Sequence, residues 1–420
     1  MIKLFIEKFK GYRLLEKDFI FFSLLSIVGS VFSSFSPLIV AKILNPGLFG
    51  SYSLGMAIIF LFFTVFISSS QAPCIILANK EIKKTGKANK TFTVLFYITI
   101  VMIILAAIIF LTFSNQIQNF TNIYSPYLAV SFLAAFIGYS IKSLFQTILL
   151  GFDKKKLSAI LEICFGLFSF LILLLLYYFK IQYVQLIISI YFPIGIILFL
   201  ISIFTINKEL IFPFKYDFET LKTIFHFVKW QILGLIAIYF VNWGDNFVLR
   251  LYVKTDQIGL YNLSYKFFSG FITMIYFVNT YFLPILSRNT GNNLYISDYL
   301  NIKRPKIFFV ILTCIISSIV IVPITIKLMY GDLFIKSTSI YLILSLALIS
   351  FAYTIFYIPF FNTIGKYKII QIASIIQIIV NIGLDFVLIP YIGIYGSAIA
   401  TVCGYFVLLT IYNMYYKKIM

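Results

Sequence analysis

The sequence predicts an all-α, polytopic membrane protein with about twelve transmembrane helices arranged as two six-helix lobes. Three observations support this prediction: a composition too apolar for water, a series of long apolar runs, and a one-sided distribution of basic residues. The 420-residue chain is 61% hydrophobic and only 11% charged, and its mean hydropathy is +1.02. Soluble domains carry about 25% charged residues, so this chain lacks the polar surface to cover a globule in water.

About twelve apolar runs are long enough to cross a bilayer, for which an α-helix needs about 20 residues. The runs are continuous rather than alternating, so they predict helices and not the strands of a barrel. The expected spans are 19–41, 53–77, 92–113, 126–150, 157–179, 184–206, 226–249, 259–286, 307–329, 338–361, 368–390 and 395–416.

The Lys and Arg residues fall mostly in the loops on one side of these spans. With the loops assigned alternately to two sides, 24 of the 33 basic residues lie on the side of the N-terminus, six lie on the other, and three lie inside spans. Because cytoplasmic loops carry the excess of Lys and Arg, the first side is expected to be the cytoplasm, with both termini there. The net charge of +19 then reflects topology and contact with anionic membrane lipids rather than binding of nucleic acid.

A short motif repeats at half the length of the chain. The segments beginning at Gly50 and Gly259 both have the form Gly-x-Tyr-x-Leu and start 209 residues apart. The repetition predicts an N-terminal six-helix lobe (1–206), a mixed-charge cytoplasmic connector (207–221) and a C-terminal six-helix lobe (222–420). Because each half has an even number of spans, the halves run the same way through the membrane and are expected to be related by an axis along the membrane normal.

Basic side chains inside or beside spans are the main candidates for a binding site, because an ionisable group in the membrane is costly and usually functional. Lys142 and Lys266 lie on polar helix faces and are expected to line a shared cavity, whose positive charge would select an anionic substrate such as a phosphate. Lys229 lies near the cytoplasmic end of the seventh span, where snorkelling to the interface is the alternative to substrate contact. Arg250 and Lys42 lie near the outer boundary and are either substrate contacts or ordinary loop charges.

Acidic and amide side chains mark further candidate positions. Glu162, Asp245 and Asp385 either pair with the cations or bind a coupling proton or sodium ion. Four amides complete the expected cavity lining: Gln146, Asn242, Gln377 and Asn381. The alternative for such polar faces is helix–helix packing, in which small and polar residues let helices approach and hydrogen-bond. No cofactor or metal site is expected, because the single histidine, His226, has no second histidine and the four cysteines are scattered singly.

These features favour a transporter over an enzyme. A membrane glycan polymerase or glycosyltransferase usually needs a large extracytoplasmic loop or clustered catalytic carboxylates and arginines. The longest outer loop expected here, 114–125, is short and uncharged, and the sequence shows no such cluster. A cation-coupled multidrug antiporter is the nearer alternative, but it would favour acidic cavity residues, and the first span has no internal acid.

Three sequence patterns stand out: LNPGLFGSYSL at 44–54, Asp245 followed by the Gly259-x-Tyr261 that opens the eighth span, and LIPYIGIYGSA at 388–398. Together they resemble the patterns of the polysaccharide-transporter family, the O-antigen and capsule-repeat flippases of the multidrug/oligosaccharidyl-lipid/polysaccharide exporter superfamily. The resemblance implies a V-shaped, two-lobed bundle that moves a polyprenyl-diphosphate-linked oligosaccharide from the cytoplasmic to the outer leaflet of a bacterial inner membrane by alternating access.

The same resemblance implies partners and site roles. Basic residues would hold the diphosphate while the lipid tail stays in the bilayer, and other polysaccharide assembly proteins would be partners. One position departs from the pattern: many relatives follow the seventh-span acid with a basic residue, but Asn246 stands there in this chain. The family's ion-coupling details are therefore not carried over.

Overall fold

The computed structural model describes residues 35–205, 214–288 and 293–419, together with Gly29, Phe32 and Ser33. Within these ranges the chain is almost entirely helical and contains no β-strand. The helices are α1 (35–43), α2 (Pro46–Phe63), α3 (Ser69–Thr85), α4 (Asn89–Thr112), α5 (Ser114–Thr121), α6 (Leu128–Gly151), α7 (Lys155–Tyr178), α8 (Val184–Ser189), α9 (Tyr191–Thr205), α10 (Phe218–Tyr252), α11 (Thr255–Arg288), α12 (Asn293–Asp298), α13 (Arg304–Tyr330), α14 (Lys336–Thr354), α15 (Tyr357–Thr363), α16 (Tyr367–Ile392) and α17 (Ile394–Ile419). The π-helical segments Thr64–Ser68 and Tyr299–Lys303 join α2 to α3 and α12 to α13.

Within the described ranges, eleven helices or joined helices are long and apolar enough to cross a membrane. They coincide with eleven of the twelve spans expected from the sequence, and the exception is the first, 19–41, most of which lies outside the described residues. The all-α, multi-pass architecture is therefore confirmed. Its outward faces are apolar, as on α4, where Ile104, Ile108 and Leu111 are each more than half exposed, which fits a surface solvated by lipid tails.

The two copies of the repeated motif lie against each other where α2 crosses α11. A Cβ atom on Gly50 would lie 2.9 Å from the Gly259 nitrogen and would collide with the carbonyl group of Thr255. A Cβ atom on Gly259 would lie 3.0 Å from the Gly50 nitrogen and would collide with the carbonyl group of Pro46. Only glycine allows this backbone approach. It joins the N-terminal half (residues up to 205) to the C-terminal half (residues from 214) near the start of both helices, on the side expected to be outer.

The chain enters the C-terminal half through a short extended segment, 214–217, that packs on α4. Asp217 caps α10, because its carboxylate accepts from the Thr220 amide at 3.0 Å and the Thr220 hydroxyl at 2.6 Å, and it pairs with Lys90 at 3.1 Å. The Thr220 hydroxyl is the main cause of the lowered pKa of Asp217, and Lys90 adds to it. Two aromatic pairs hold the same segment: Phe96 with Phe214 and Tyr97 with Tyr216. Residues 206–213, which include the first part of the expected connector (207–221), lie outside the described ranges, and the lobe boundaries stay a prediction.

Candidate functional site

A cavity of about 320 Å³ lies between the two halves. Helices α1, α2, α6, α7 and α9 supply its N-terminal wall, whereas α10 and α11 supply its C-terminal wall through Trp243, Lys266 and Ser269. The structure brings Lys142 and Lys266 together as lining residues of this one cavity, on opposite walls. Most of the remaining lining side chains carry hydroxyl groups or aromatic rings: Ser33, Ser36, Tyr52, Ser53, Phe60, Tyr139, Phe165, Ser169 and Tyr191.

On the N-terminal wall, Lys142 forms an ion pair with Glu162. The Lys142 ammonium lies 2.8 Å from Oε1 and 2.7 Å from Oε2 of Glu162, and it also lies 4.6 Å above the centre of the Phe165 ring. Gln146, one turn along α6, donates to Glu162 Oε2 at 3.4 Å. The pairing of Glu162 with a membrane cation, one of the two expected roles, is thus made with Lys142, and Gln146 contacts the pair rather than lining the cavity.

On the C-terminal wall, Lys266 has a different environment. Its ammonium lies 4.3 Å above the ring of Trp243, a cation–π contact. Among the described residues, no carboxylate lies within ion-pair distance of Lys266. The Lys142–Glu162 pair is neutral as a unit, so Lys266 provides the uncompensated positive charge of the cavity.

Hydroxyl groups and aromatic rings complete the N-terminal wall, and the sequence reasoning did not single out its tyrosines Tyr52, Tyr139 and Tyr191. Tyr52 and Tyr191 are hydrogen-bonded through their hydroxyl groups at 3.2 Å, and the Tyr191 ring lies 4.7 Å from that of Tyr139. The hydroxyl groups of Ser33 and Ser53 have no hydrogen-bond partner among the described residues. Tyr52 and Ser53 belong to the repeated motif, so the motif itself was the available signal.

Lys42 and Arg250 lie outside the cavity lining, and each reaches across to the other half. Lys42 donates to the carbonyl group of Met329, in the last turn of α13. Arg250 donates to the carbonyl groups of Phe120 at 2.5 Å and Asn119 at 2.8 Å, at the end of α5. The last carbonyl groups of a helix have no partner within the helix and carry its negative dipole, so they suit a cation.

These two cross-half contacts follow the sequence repeat. Arg250 follows Lys42 by 208 positions, and Met329 follows Phe120 by 209, the same offset as the glycine motif. We call them the two clamps. They correct the expectation that Lys42 and Arg250 face the substrate cavity: the carbonyl groups that hold them lie far away in the sequence, where no local pattern indicates them.

Breaking both clamps is expected to favour separation of the outer ends of the two halves. Each hydrogen bond to a charged group contributes about 1.5–3 kcal/mol, so the double variant Lys42→Ala/Arg250→Ala should shift the equilibrium at least ~10-fold. Spin labels at Tyr124 and Tyr391, both exposed, would report a longer distance between the halves. Lys254→Ala, which removes an exposed charge on the same side, is the control. Identical distance distributions in the double variant and the wild type would contradict the role of the clamps.

Three other candidates lie away from the cavity. Lys229 is exposed on α10, towards the end expected to be cytoplasmic, as snorkelling requires. Asn242 is also exposed on α10, and its amide donates to the carbonyl group of Ile238 at 2.8 Å. Gln377 is buried in α16, where it faces Gly404 of α17. The placement of Lys229 fits interface exposure and that of Gln377 fits helix packing, two alternatives that the sequence left open, whereas the exposed Asn242 at mid-span fits neither.

Asp245 and Asp385 come together in a buried cluster within the C-terminal half. Asp245 is 4% exposed and Asp385 is 0% exposed. The Tyr261 hydroxyl donates to Asp245, and the Thr401 hydroxyl donates to the same oxygen at 3.2 Å. The Asn381 amide, oriented to satisfy its neighbours, donates to the other Asp245 oxygen at 3.0 Å. We call this set the acid cluster.

The acid cluster excludes one of the two roles expected for Asp245 and Asp385, namely pairing with a membrane cation. Asp245 and Asp385 make no ion pair with a lysine or arginine among the described residues, and Asn381 serves the cluster rather than the cavity. Neither Asp385 oxygen forms a hydrogen bond of ordinary geometry among the described residues, and the groups that lie beside this carboxyl are Asp245 and the Ser397 hydroxyl. The adjacent Asn246, which replaces a basic residue of the family pattern, accepts from Asn262 at 2.6 Å and is also buried. The cluster is thus rich in oxygen ligands and lacks a built-in cation.

Comparisons with known proteins agree with this architecture. The family model described as "Polysaccharide biosynthesis protein" matches residues 39–339, whereas no curated protein matches the chain closely enough to count as a relative.

An inward-facing multidrug resistance MATE family transporter of the MOP superfamily superposes with a TM-score of 0.75 at 14% identity, covering 94% of this chain and 97% of that chain. The lipid II flippase MurJ in its inward closed conformation also reaches 0.75, at 18% identity, covering 95% and 87%. A MOP superfamily transporter from Pyrococcus furiosus, described as having a binding pocket of reverse polarity, reaches 0.61 at 16% identity, covering 95% and 94%. At these identities, the likeness is one of fold.

Proposed function

Since this chain belongs to the family of polysaccharide biosynthesis proteins, we propose that it is a flippase for polyprenyl-diphosphate-linked oligosaccharides. It would work in the bacterial inner membrane by alternating access, with both termini in the cytoplasm, and would pass its substrate to other polysaccharide assembly proteins. The observation that carries the proposal is the cavity between the halves, which holds Lys142 and Lys266 and leaves one of these charges uncompensated. A similar fold serves a flippase of another lipid-linked precursor, lipid II.

Lys266 is the residue we assign to the diphosphate. A lysine ammonium suits a phosphate as a compact point charge. In a cavity lined by protein, its attraction is less screened than in bulk water. Trp243 holds the ammonium at the cavity surface without neutralising it. The lipid tail would remain in the bilayer, which the apolar outer faces of the helices already contact.

The contacts at the outer ends supply the second requirement, a barrier on the side opposite to substrate entry. The glycine crossing of α2 and α11 and the two clamps hold the halves together there. In alternating access these contacts would break as the cavity opens outward. The acid cluster would hold a coupling proton or sodium ion, whose binding would bias that change.

A multidrug exporter is the competing function, since several similar structures belong to that group. In the alternative drawn from the sequence, such a cation-coupled exporter favours acidic cavity residues. A cavity whose uncompensated charge is Lys266 repels a cation and attracts an anion, so the charge of the cavity favours the lipid-diphosphate substrate.

Lys266→Met is expected to slow transport at least ~10-fold, because a hydrogen bond to a charged group contributes about 1.5–3 kcal/mol. The measurement is the transfer of a fluorescent polyprenyl-diphosphate-linked glycan between leaflets of vesicles that contain the purified protein. Lys229→Met removes an exposed charge of the same type and should retain wild-type rates. Wild-type transfer no faster than in empty vesicles would reject the proposed function, and full activity of Lys266→Met would reject the assigned role.

A further inference from the structure

The two walls of the cavity differ in chemistry, and we propose that they bind different parts of one substrate. This proposal rests on the proposed function and refines it. The N-terminal wall, with Glu162 and Ser53 as its recognition residues, binds the sugar ring next to the diphosphate. The C-terminal wall, with Lys266, binds the diphosphate itself.

The charge of the N-terminal wall argues for a neutral ligand. Both Glu162 oxygens lie within 2.8 Å of the Lys142 ammonium, so a phosphate that approached Lys142 would also meet a carboxylate. A sugar hydroxyl group both donates and accepts hydrogen bonds. It can therefore donate to Glu162 and accept from Lys142 without separating the ion pair. The pair presents an acceptor beside a donor, which is the complement of a sugar hydroxyl.

Ser53 gives independent support. Its side chain is 1% exposed, it lines the cavity, and its hydroxyl oxygen has no hydrogen-bond partner among the described residues. A buried hydroxyl group without a partner is uncommon, because its desolvation is not repaid by a hydrogen bond. The Ser33 hydroxyl, on the same wall, also has no hydrogen-bond partner among the described residues. A ligand rich in hydroxyl groups would satisfy both.

Aromatic rings supply the remaining surface that a sugar needs. Phe165 and Tyr191 have nearly parallel rings 5.9 Å apart, and Tyr139 packs against both. Flat apolar faces can pack on the C–H face of a pyranose while the polar groups bond its hydroxyl groups. The volume of about 320 Å³ is at the small end of ligand sites, which span about 300–1,000 Å³. We therefore assign the site to the ring nearest the lipid rather than to a long glycan.

Equilibrium binding to the purified full-length protein tests this division. The probes are bare polyprenyl diphosphate and the same lipid carrying one glucose, galactose, N-acetylglucosamine or N-acetylgalactosamine. The wild type should bind the best of these glycolipids at least ~10-fold more tightly than the bare lipid, as expected for several added hydrogen bonds. If all five lipids bind with equal affinity, the sugar site is rejected and the proposed function stands. If none binds, the proposed function fails with it.

Substitutions on each wall distinguish the roles of the two walls in binding. Ser53→Ala should reduce the preference for the glycolipid ~3- to 10-fold, and Glu162→Gln should reduce it further, because freeing Lys142 also strengthens binding of the bare lipid. Lys266→Met should weaken all lipids alike and leave the preference unchanged. Ser140→Ala is the matched control, since that buried hydroxyl already donates to the Phe136 carbonyl group at 2.7 Å. Unchanged preference in both Ser53→Ala and Glu162→Gln would overturn the proposal.

Discussion

Gly50→Val is expected to abolish leaflet transfer and to lower the thermal stability of the protein, because its side chain has no room at the crossing of α2 and α11. The nearest atoms are backbone atoms of Thr255 and Gly259, which cannot rotate away as a side chain can. Overpacking in a protein interior usually costs about 1–3 kcal/mol, and collision with backbone atoms belongs at the upper end. Gly259→Val, at the equivalent position of the other half, should behave alike.

The measurement combines thermal unfolding in detergent, the transfer assay, and the distance between labels at Tyr124 and Tyr391. The distance should increase, because the outer ends can no longer meet. Gly270→Ala lies in the same helix α11, where an added Cβ would meet nothing within 4 Å, and should be neutral or slightly stabilising. Wild-type transfer by Gly50→Val would show that this crossing is not needed for transport.

The apolar spans could be predicted from the sequence, because hydrophobic run length is a local property. The pairing of Lys142 with Glu162 also has a short sequence distance, 20 residues across the turn between α6 and α7. The repeat predicts that the halves are alike. It did not show that Gly50 and Gly259 touch, since that depends on where the axis between the halves passes.

The remainder of the site depends on which helix faces meet, and periodicity cannot determine that. Lys42 and Met329 are 287 residues apart, and the partner of Lys42 is a backbone carbonyl group, which any residue could supply. Asp245 and Asp385 lie on separate polar faces whose partners the sequence left open. Only the packing of α10 against α16 places them in one cluster rather than beside the cavity cations.

The acid cluster leads to a further prediction: Asp385→Asn is expected to remove the dependence of transport on a coupling cation. Two adjacent buried carboxylates repel each other, and burial of an uncompensated charge is strongly unfavourable. Asp245 has donors in Tyr261, Thr401 and Asn381, whereas Asp385 forms no hydrogen bond of ordinary geometry among the described residues and has only Asp245 and the Ser397 hydroxyl beside it. The cluster is therefore complete only with a bound proton or with a cation such as sodium, which favours oxygen ligands.

Initial transfer rates would be measured with sodium, potassium or choline chloride at constant ionic strength, and with and without a pH gradient. Wild-type rates should rise with sodium or with the gradient at least ~10-fold, a coupling of about 1.4 kcal/mol, which lies within the usual range. Asp385→Asn should be slow and unresponsive. It should also be more heat-stable than the wild type without sodium, since a neutral amide removes the repulsion that the cation otherwise relieves. Asp332→Asn, at an exposed acid between α13 and α14, should keep the wild-type response. If Asp385→Asn kept it as well, the cation would have to bind elsewhere, and the unpartnered Asp385 would then be a cost to stability that transport does not explain.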